Sequence, residues 1–255
     1  MKTVYGPVPS KRLGRSLGID PVCRKNKTCS FDCVYCQLGK TQHKSFELKK
    51  FVESTELEKE LKEALKKAKA DVVTFSGSGE PTLAKNLDEL VHVVREATNL
   101  PVAVLTNSSL FYLKEVRKTL SKFDVVVAKL DAPDQELFLE INNPAKEIKF
   151  GETLESIKKM RKEFSGKKFA LQCMFIENNK ANAREIAALA KEINPDEIQI
   201  DTPLRPSPVK PLKKEELNSI KQEFKGLNAV SIYEIEKPMV EVLDLKETLL
   251  RRPKI

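Results

Sequence analysis

The chain has 255 residues, 40% of them hydrophobic and 32% charged, with 45 Lys and Arg against 37 Asp and Glu for a formal net charge of +8. That balance fits a soluble globular protein long enough for one large core and excludes a disordered or collagen-like chain. No window approaches the roughly 18 uninterrupted apolar residues of a membrane span, and the N-terminal stretch has no apolar signal region, so a cytoplasmic location is expected.

The charge is unevenly distributed. Residues 1–50 hold eleven Lys and Arg against three acids, so the whole excess lies there, while the other 205 residues carry 34 of each sign and are neutral. Such a segment is either a solvated lysine-rich face or an anion-binding one.

In chain order, "SLGIDPV" (16–22) reads as a first strand, followed by "CSFDCVYCQLG" (29–39). β-Rich runs then recur at 71–77, 101–107, 124–132, 168–177 and 197–203. Segments of helical apolar period separate them at 54–70, 86–98, 110–121, 152–164, 183–193 and 213–224. Near-continuous apolar strands alternating with helices predict an α/β fold with a parallel sheet, covered by helices. Six such units make a partial (βα)6 barrel with helices outside. One domain is expected, with residues 1–205 as the core, including the basic segment and the cysteine loop, and 206–255 as a C-terminal extension packed on it.

Active sites of parallel sheets lie at the C-terminal strand ends. Here those ends read "SGSGEPT", "TNSS", "KLDAP", "FIENN" and "DTPLRP", and the cysteine loop follows the first strand onto the same rim. Reduced cytosolic cysteines in a cluster point to metal rather than disulfides. Cys29, Cys33 and Cys36 at C-x3-C-x2-C spacing can hold three corners of a 4Fe-4S cubane, leaving one iron without a protein ligand. A zinc site formed with Cys23 is the alternative, although structural zinc usually separates its ligand pairs more widely. Cys173 stands alone in an apolar strand and reads as a buried, inert thiol, and neither His43 nor His92 has a partner at metal spacing.

"CSFDCVYC" followed by "GSGEP" and βα alternation resembles the radical S-adenosylmethionine superfamily over residues 4–205. "GPVPSKRLGRSLGID", "TFSGSGEPTL", "LTN" and "LDAP" are similar to small members grouped with the tRNA wyosine synthases. The resemblance implies one 4Fe-4S cluster on Cys29, Cys33 and Cys36. It also implies reductive cleavage of S-adenosylmethionine to methionine and a 5′-deoxyadenosyl radical that abstracts hydrogen from an unidentified substrate. It further implies Tyr35 near the adenine and Gly77, Ser78, Gly79 and Glu80 at the methionyl amino group. Asn107 is suited to the ribose, and Lys129 and Asp131 share one strand face where the lysine can meet the methionyl carboxylate. Gln172, Gln199, Asp201 and Arg205 are candidates for the substrate pocket.

Wyosine synthases carry several further cysteines upstream for a second cluster. Only Cys23 is available here, and no cysteine follows 205. The charge of Arg12, Arg15, Arg24, Lys25, Lys27, Lys40 and Lys44 around the loop suits an acidic ferredoxin or flavodoxin as electron donor, or a tRNA. A zinc-stabilised RNA-binding module and a plain electron carrier are the remaining alternatives from other functional classes.

Overall fold

The computed structural model describes residues 1–164 and 168–253. The chain opens with an antiparallel hairpin of β1 (Val4–Ser10) and β2 (Gly14–Ile19). The short parallel pair β3 (Thr28–Cys29) and β4 (His43–Lys44) then brackets the cysteine loop. Next come α1 (Ser54–Leu65), β5 (Val72–Phe75), α2 (Leu87–Ala97), β6 (Val102–Thr106), α3 (Lys114–Leu120) and β7 (Val125–Lys129). After these lie α4 (Gln135–Asn142), α5 (Phe150–Glu163), β8 (Lys168–Met174), α6 (Ala183–Ile193) and β9 (Glu197–Asp201). α7 (Lys214–Glu223), β10 (Ala229–Ser231) and α8 (Leu245–Leu249) complete the order.

One eight-stranded sheet runs β1-β2-β5-β6-β7-β8-β9-β10, parallel throughout except for β1. Side chains alternate across it with period two. Leu17, Phe75, Val104, Val126, Phe169, Leu171 and Ile198 face the surrounding helices, all at most 1% exposed, and meet Leu61, Leu90, Leu120, Met160 and Ile186 in one core. Burying each such side chain contributes about 1.5–3 kcal/mol. The opposite face carries polar side chains among apolar ones such as Leu105 and Met174. Ser16, Thr74, Lys129, Gln172 and Asp201, from five strands, line a single cavity of about 460 Å³. Residues from strands spread across the sheet share one cavity only if the sheet curls, so the fold is the expected partial barrel. Its open seam is crossed by side chains, with Lys11 Nζ donating to Ile232 O (2.9 Å) and Arg12 paired with Asp201.

Three features differ from the sequence expectation. The first parallel strand begins at Gly14 and is preceded by β1, which contains Pro7 and Pro9; prolines fit there because β1 is an edge strand whose register also shifts between Tyr5 and Val8. The 133–149 region contains α4, capped by the Asp134 side chain accepting from Leu137 N (2.9 Å) and closed by Asn143 in the left-handed region (φ 39°). Beyond residue 205, β10 pairs with β9 and extends the sheet itself. Among the described residues no helix is long and apolar enough to cross a membrane.

Candidate active site

The loop carrying the cysteines is held from three sides. His43 N donates to Lys27 O (3.1 Å) and Ser45 N to Cys29 O (3.1 Å), closing its base. Cys36 N donates to Cys33 O (3.0 Å) and Gly39 N to Cys36 O (2.9 Å), so the last two cysteines lie on successive tight turns. The far side rests on the end of α4, where Asp32 N and Val34 N donate to the carbonyls of Asn142 (3.0 Å) and Ile141 (2.9 Å) and Phe31 packs edge-on against Phe138 (5.3 Å). An element that the sequence reading did not include therefore carries the loop.

The sulfurs face polarised N–H groups. Cys29 Sγ accepts from Phe31 N and Asn107 Nδ2, and Cys33 Sγ from Asn142 Nδ2, each at 3.5 Å. Lys27, only 5% exposed, sits among them. Burial pulls its pKa down, but the sulfurs of Cys36, Cys29 and Cys33 outweigh this and leave it above the usual lysine value. Burial also pushes the free Cys33 thiol up to about 11 and Cys29 further still. Soft donors with amide N–H groups and a buried ammonium aimed at them suit an anionic thiolate-bound iron-sulfur cluster, whose sulfurs such groups stabilise. Among the described residues no three His, Cys, Asp or Glu side chains stand close enough to share one metal ion. Cys23 faces elsewhere, toward Met1 O (3.5 Å) and Arg251 Nη2 (3.4 Å). The residues fit a polynuclear cluster with three protein ligands better than a four-cysteine zinc.

The turn at 77–81 is stitched to this loop. Thr28 N donates to Ser78 O and Glu80 N to Thr28 O, both at 3.2 Å. A Cβ on Gly79 would lie 1.6 Å from Thr28 O, so only glycine permits the pairing. Gly77, at φ +143°, abuts the Asp20 carboxylate, which accepts from Ser78 N (3.0 Å). Both glycines thus serve a close approach of backbone to protein. Glu80 is 2% exposed, and its oxygens accept from Thr82 N (3.1 Å), Thr82 Oγ1 (2.7 Å), Thr106 Oγ1 (2.6 Å) and Asn107 N (2.7 Å). Burial raises its pKa and these hydrogen bonds offset part of the rise. Its carboxylate therefore fixes Asn107, whose side chain reaches Ser30 Oγ (2.8 Å) beside Cys29.

On the facing wall Asp131 is saturated. Tyr35 Oη donates to it, as do Asn142 Nδ2 (2.8 Å) and Met174 N (2.9 Å). Burial, and then Asp131, hold the Tyr35 pKa well above the tyrosine range. Lys129 Nζ lies 5.1 Å above the Tyr35 ring, 3.2 Å from Gln172 Oε1 and 3.8 Å from Asp131. Gln172, Asp201 and Arg205 line the cavity with Lys129 and Tyr35, whereas Gln199 is buried beside Glu197. Cys173 is fully buried in the helix-facing core.

The basic residues divide. Arg24 and Lys25 border an outer groove of about 600 Å³ with Lys49, and Lys40 and Lys44 are exposed. Lys27 is turned inward, Arg12 enters the barrel, and Arg15 pairs with Asp71 (2.6 Å) beside the start of β2. The sequence reading counted all three as rim charge. It also missed Asn142, Arg251 and Asp20; of these only Asp20, polar at a strand end, matched a rule it applied.

Residues 25–196 match the Radical SAM superfamily. The chain belongs to that superfamily. Over 220 residues it is 37% identical to a UPF0026 protein of Methanocaldococcus jannaschii, covering 84% of this chain and 67% of the relative. It is 38% identical over 237 residues to a protein of Brachyspira hyodysenteriae named GTPase Obg, covering 91% of this chain but only 35% of that relative. Among solved structures it is similar to the Streptococcus suis SuiB bound to precursor peptide SuiA, with a TM-score of 0.65 at 18% identity, over 87% of this chain and 50% of that one. The likeness to SuiB is one of fold, and the segment of this radical SAM protein that matches the superfamily spans the cysteine loop through α6.

Proposed function

We propose that the protein holds one 4Fe-4S cluster on Cys29, Cys33 and Cys36 and cleaves S-adenosylmethionine reductively to begin chemistry on a small substrate in the barrel. The observation that carries this is the Cys29–Cys36 loop, with the Asn107 and Asn142 amides donating to the Cys29 and Cys33 sulfurs, packed against the 77–81 turn. When bound, the cluster supplies the electron that splits the cofactor into methionine and a 5′-deoxyadenosyl radical. SuiB, similar in fold, has also been solved bound to S-adenosylmethionine.

The chain's own residues have separable tasks. Lys27 balances thiolate charge. Gly77 and Gly79 present backbone groups on the rim for the methionyl end, while Ser78, held through both its N–H and its carbonyl, and Glu80 keep that turn and Asn107 in register. Lys129, with an ammonium facing the cavity, offers a partner for the methionyl carboxylate, and Tyr35, fixed by Asp131, forms the wall beside it. The exposed Arg24, Lys25 and Lys49 suit an acidic ferredoxin or flavodoxin approaching from outside.

Anaerobic reconstitution tests the assignment. The native protein and Cys23→Ala should each retain about four irons per chain, and Cys29→Ala, Cys33→Ala and Cys36→Ala should each lose them. Stoichiometric zinc, or a full iron complement in Cys33→Ala, would overturn it.

A further inference from the structure

The barrel cavity carries far more positive charge than the chemistry above requires. Among the described residues, six of its lining side chains are Lys or Arg and one, Asp201, is acidic. Arg12 is paired with Asp201, and Lys129 stands 3.8 Å from Asp131. That leaves Lys11, Arg205 and Arg252, all partly buried, with no carboxylate partner among the described residues, and the exposed Lys237 beside them likewise. Three of them contact only neutral groups, and Arg252 also lies 5.7 Å over the Tyr5 ring. Lys11 Nζ donates to Ile232 O (2.9 Å), Arg205 Nη1 to Gln37 Oε1 (3.3 Å), and Arg252 Nη2 to Ser76 Oγ (2.8 Å). The pKa of Arg205 is lowered to about 10, first by burial and then by the like charges of Arg252 and Arg12.

Cations enclosed together repel one another and lose hydration, and an anion entering the cavity relieves both effects. S-adenosylmethionine does not provide that anion. Its sulfonium and ammonium outnumber its single carboxylate, so the cofactor enters with a net positive charge and deepens the excess. The cluster's own negative charge is met by Lys27 within its loop, so a negative second occupant is what balances the cavity cations. Guanidinium forks bind carboxylates and phosphates through paired hydrogen bonds. Arg205 also contacts Gln37, the residue directly after Cys36, so a group held there lies beside the cluster loop.

We infer that the substrate is a small molecule bearing a dianionic group, a phosphate monoester or a dicarboxylate, that Arg205 and Arg252 grip inside the barrel. The inference rests on the preceding reading of this cavity as the meeting place of cofactor and substrate. A small molecule is favoured over a polynucleotide because these cations line an interior cavity, while the exposed rim carries a separate basic face, Arg24, Lys25 and Lys49, around the outer groove.

The test titrates inorganic phosphate and, separately, succinate into reconstituted protein with S-adenosylmethionine, followed by calorimetry at constant ionic strength. Saturable binding of one probe per chain is expected. Stronger phosphate binding identifies the phosphate ester and stronger succinate binding the dicarboxylate. Arg205→Gln/Arg252→Gln should weaken the bound probe by about tenfold or more, the loss of charged hydrogen bonds. Arg205→Lys should keep part of the affinity, which a merely misfolded variant would not. Arg24→Gln/Lys25→Gln, in the outer groove, should leave it unchanged. Absence of saturable binding by either probe, equal affinity in the double variant, or loss of tight tRNA binding as its only effect would overturn the inference. Failure of the radical reading would show instead as an intact cluster that yields no 5′-deoxyadenosine, whatever the anion result.

Discussion

Replacing Arg251 by Met should be among the most damaging single changes outside the cysteines. Arg251 is fully buried, and all its N–H directions find acceptors. Nε reaches Asp20 Oδ2 (2.9 Å), Nη1 reaches Glu247 O and Oε2 (both 2.9 Å), and Nη2 reaches Lys2 O (2.5 Å) and Cys23 Sγ (3.4 Å). Its guanidinium also lies over the Tyr5 ring at 5.1 Å. Arg251→Met leaves Asp20, itself 1% exposed, with three backbone N–H donors but no countercharge, and breaking such a buried pair costs about 3–5 kcal/mol. For a chain of this size that corresponds to a fall in Tm of about 6–20 °C. Asp20 is also what Ser78 N donates to, so cofactor affinity should drop together with stability. Thermal denaturation of cluster-free protein isolates the folding effect, and Asp20→Asn/Arg251→Met should lose about 1–3 kcal/mol less than the two single variants summed. A Tm within about 2 °C of native for Arg251→Met would refute the claim that this ion pair anchors the turn.

Gly79→Ala should force its Cβ into the Thr28 carbonyl, destabilise the fold by about 1–3 kcal/mol and reduce iron retention, because the obstructing atoms are backbone. Gly151→Ala, in α5 with open space at its Cβ, should instead be neutral or stabilising, and equal iron contents and melting points for the two variants would contradict the stitched-turn account. Reversing Arg24, Lys25 and Lys49 to Glu should slow cofactor cleavage driven by a protein reductant by about tenfold at low salt, with the difference shrinking above about 0.15 M. Dithionite-driven cleavage should not change, and equal loss with both reductants would remove the donor-docking reading.

The parallel strands and most of the helices were legible because their apolar period survives in the final core, as at Phe169, Leu171 and Cys173 on one face of β8 against Gln172 on the other. β1 was not, since its prolines resemble loop punctuation until the strand is known to lie at an edge. Within the site, the cysteines and the 77–81 turn announced themselves by spacing, but their partners did not. Lys27 follows Arg24 and Lys25 in what looks like a solvated basic run, yet its backbone enters β3 with N donating to Gln42 Oε1 (2.9 Å), and this turns its side chain inward. Glu80 looks like a free acceptor in sequence, and only the fold brings Thr82, Thr106 and Asn107 around it. Arg251 meets Asp20 across 231 residues, a contact that no local pattern encodes.

The central claim is tested most directly by incubating anaerobically reconstituted, dithionite-reduced protein with S-adenosylmethionine and quantifying 5′-deoxyadenosine and methionine. The account predicts slow formation of both products in equal amounts, abolished in Cys33→Ala and in protein without iron. An intact cluster that yields neither product under strict anaerobiosis would contradict it.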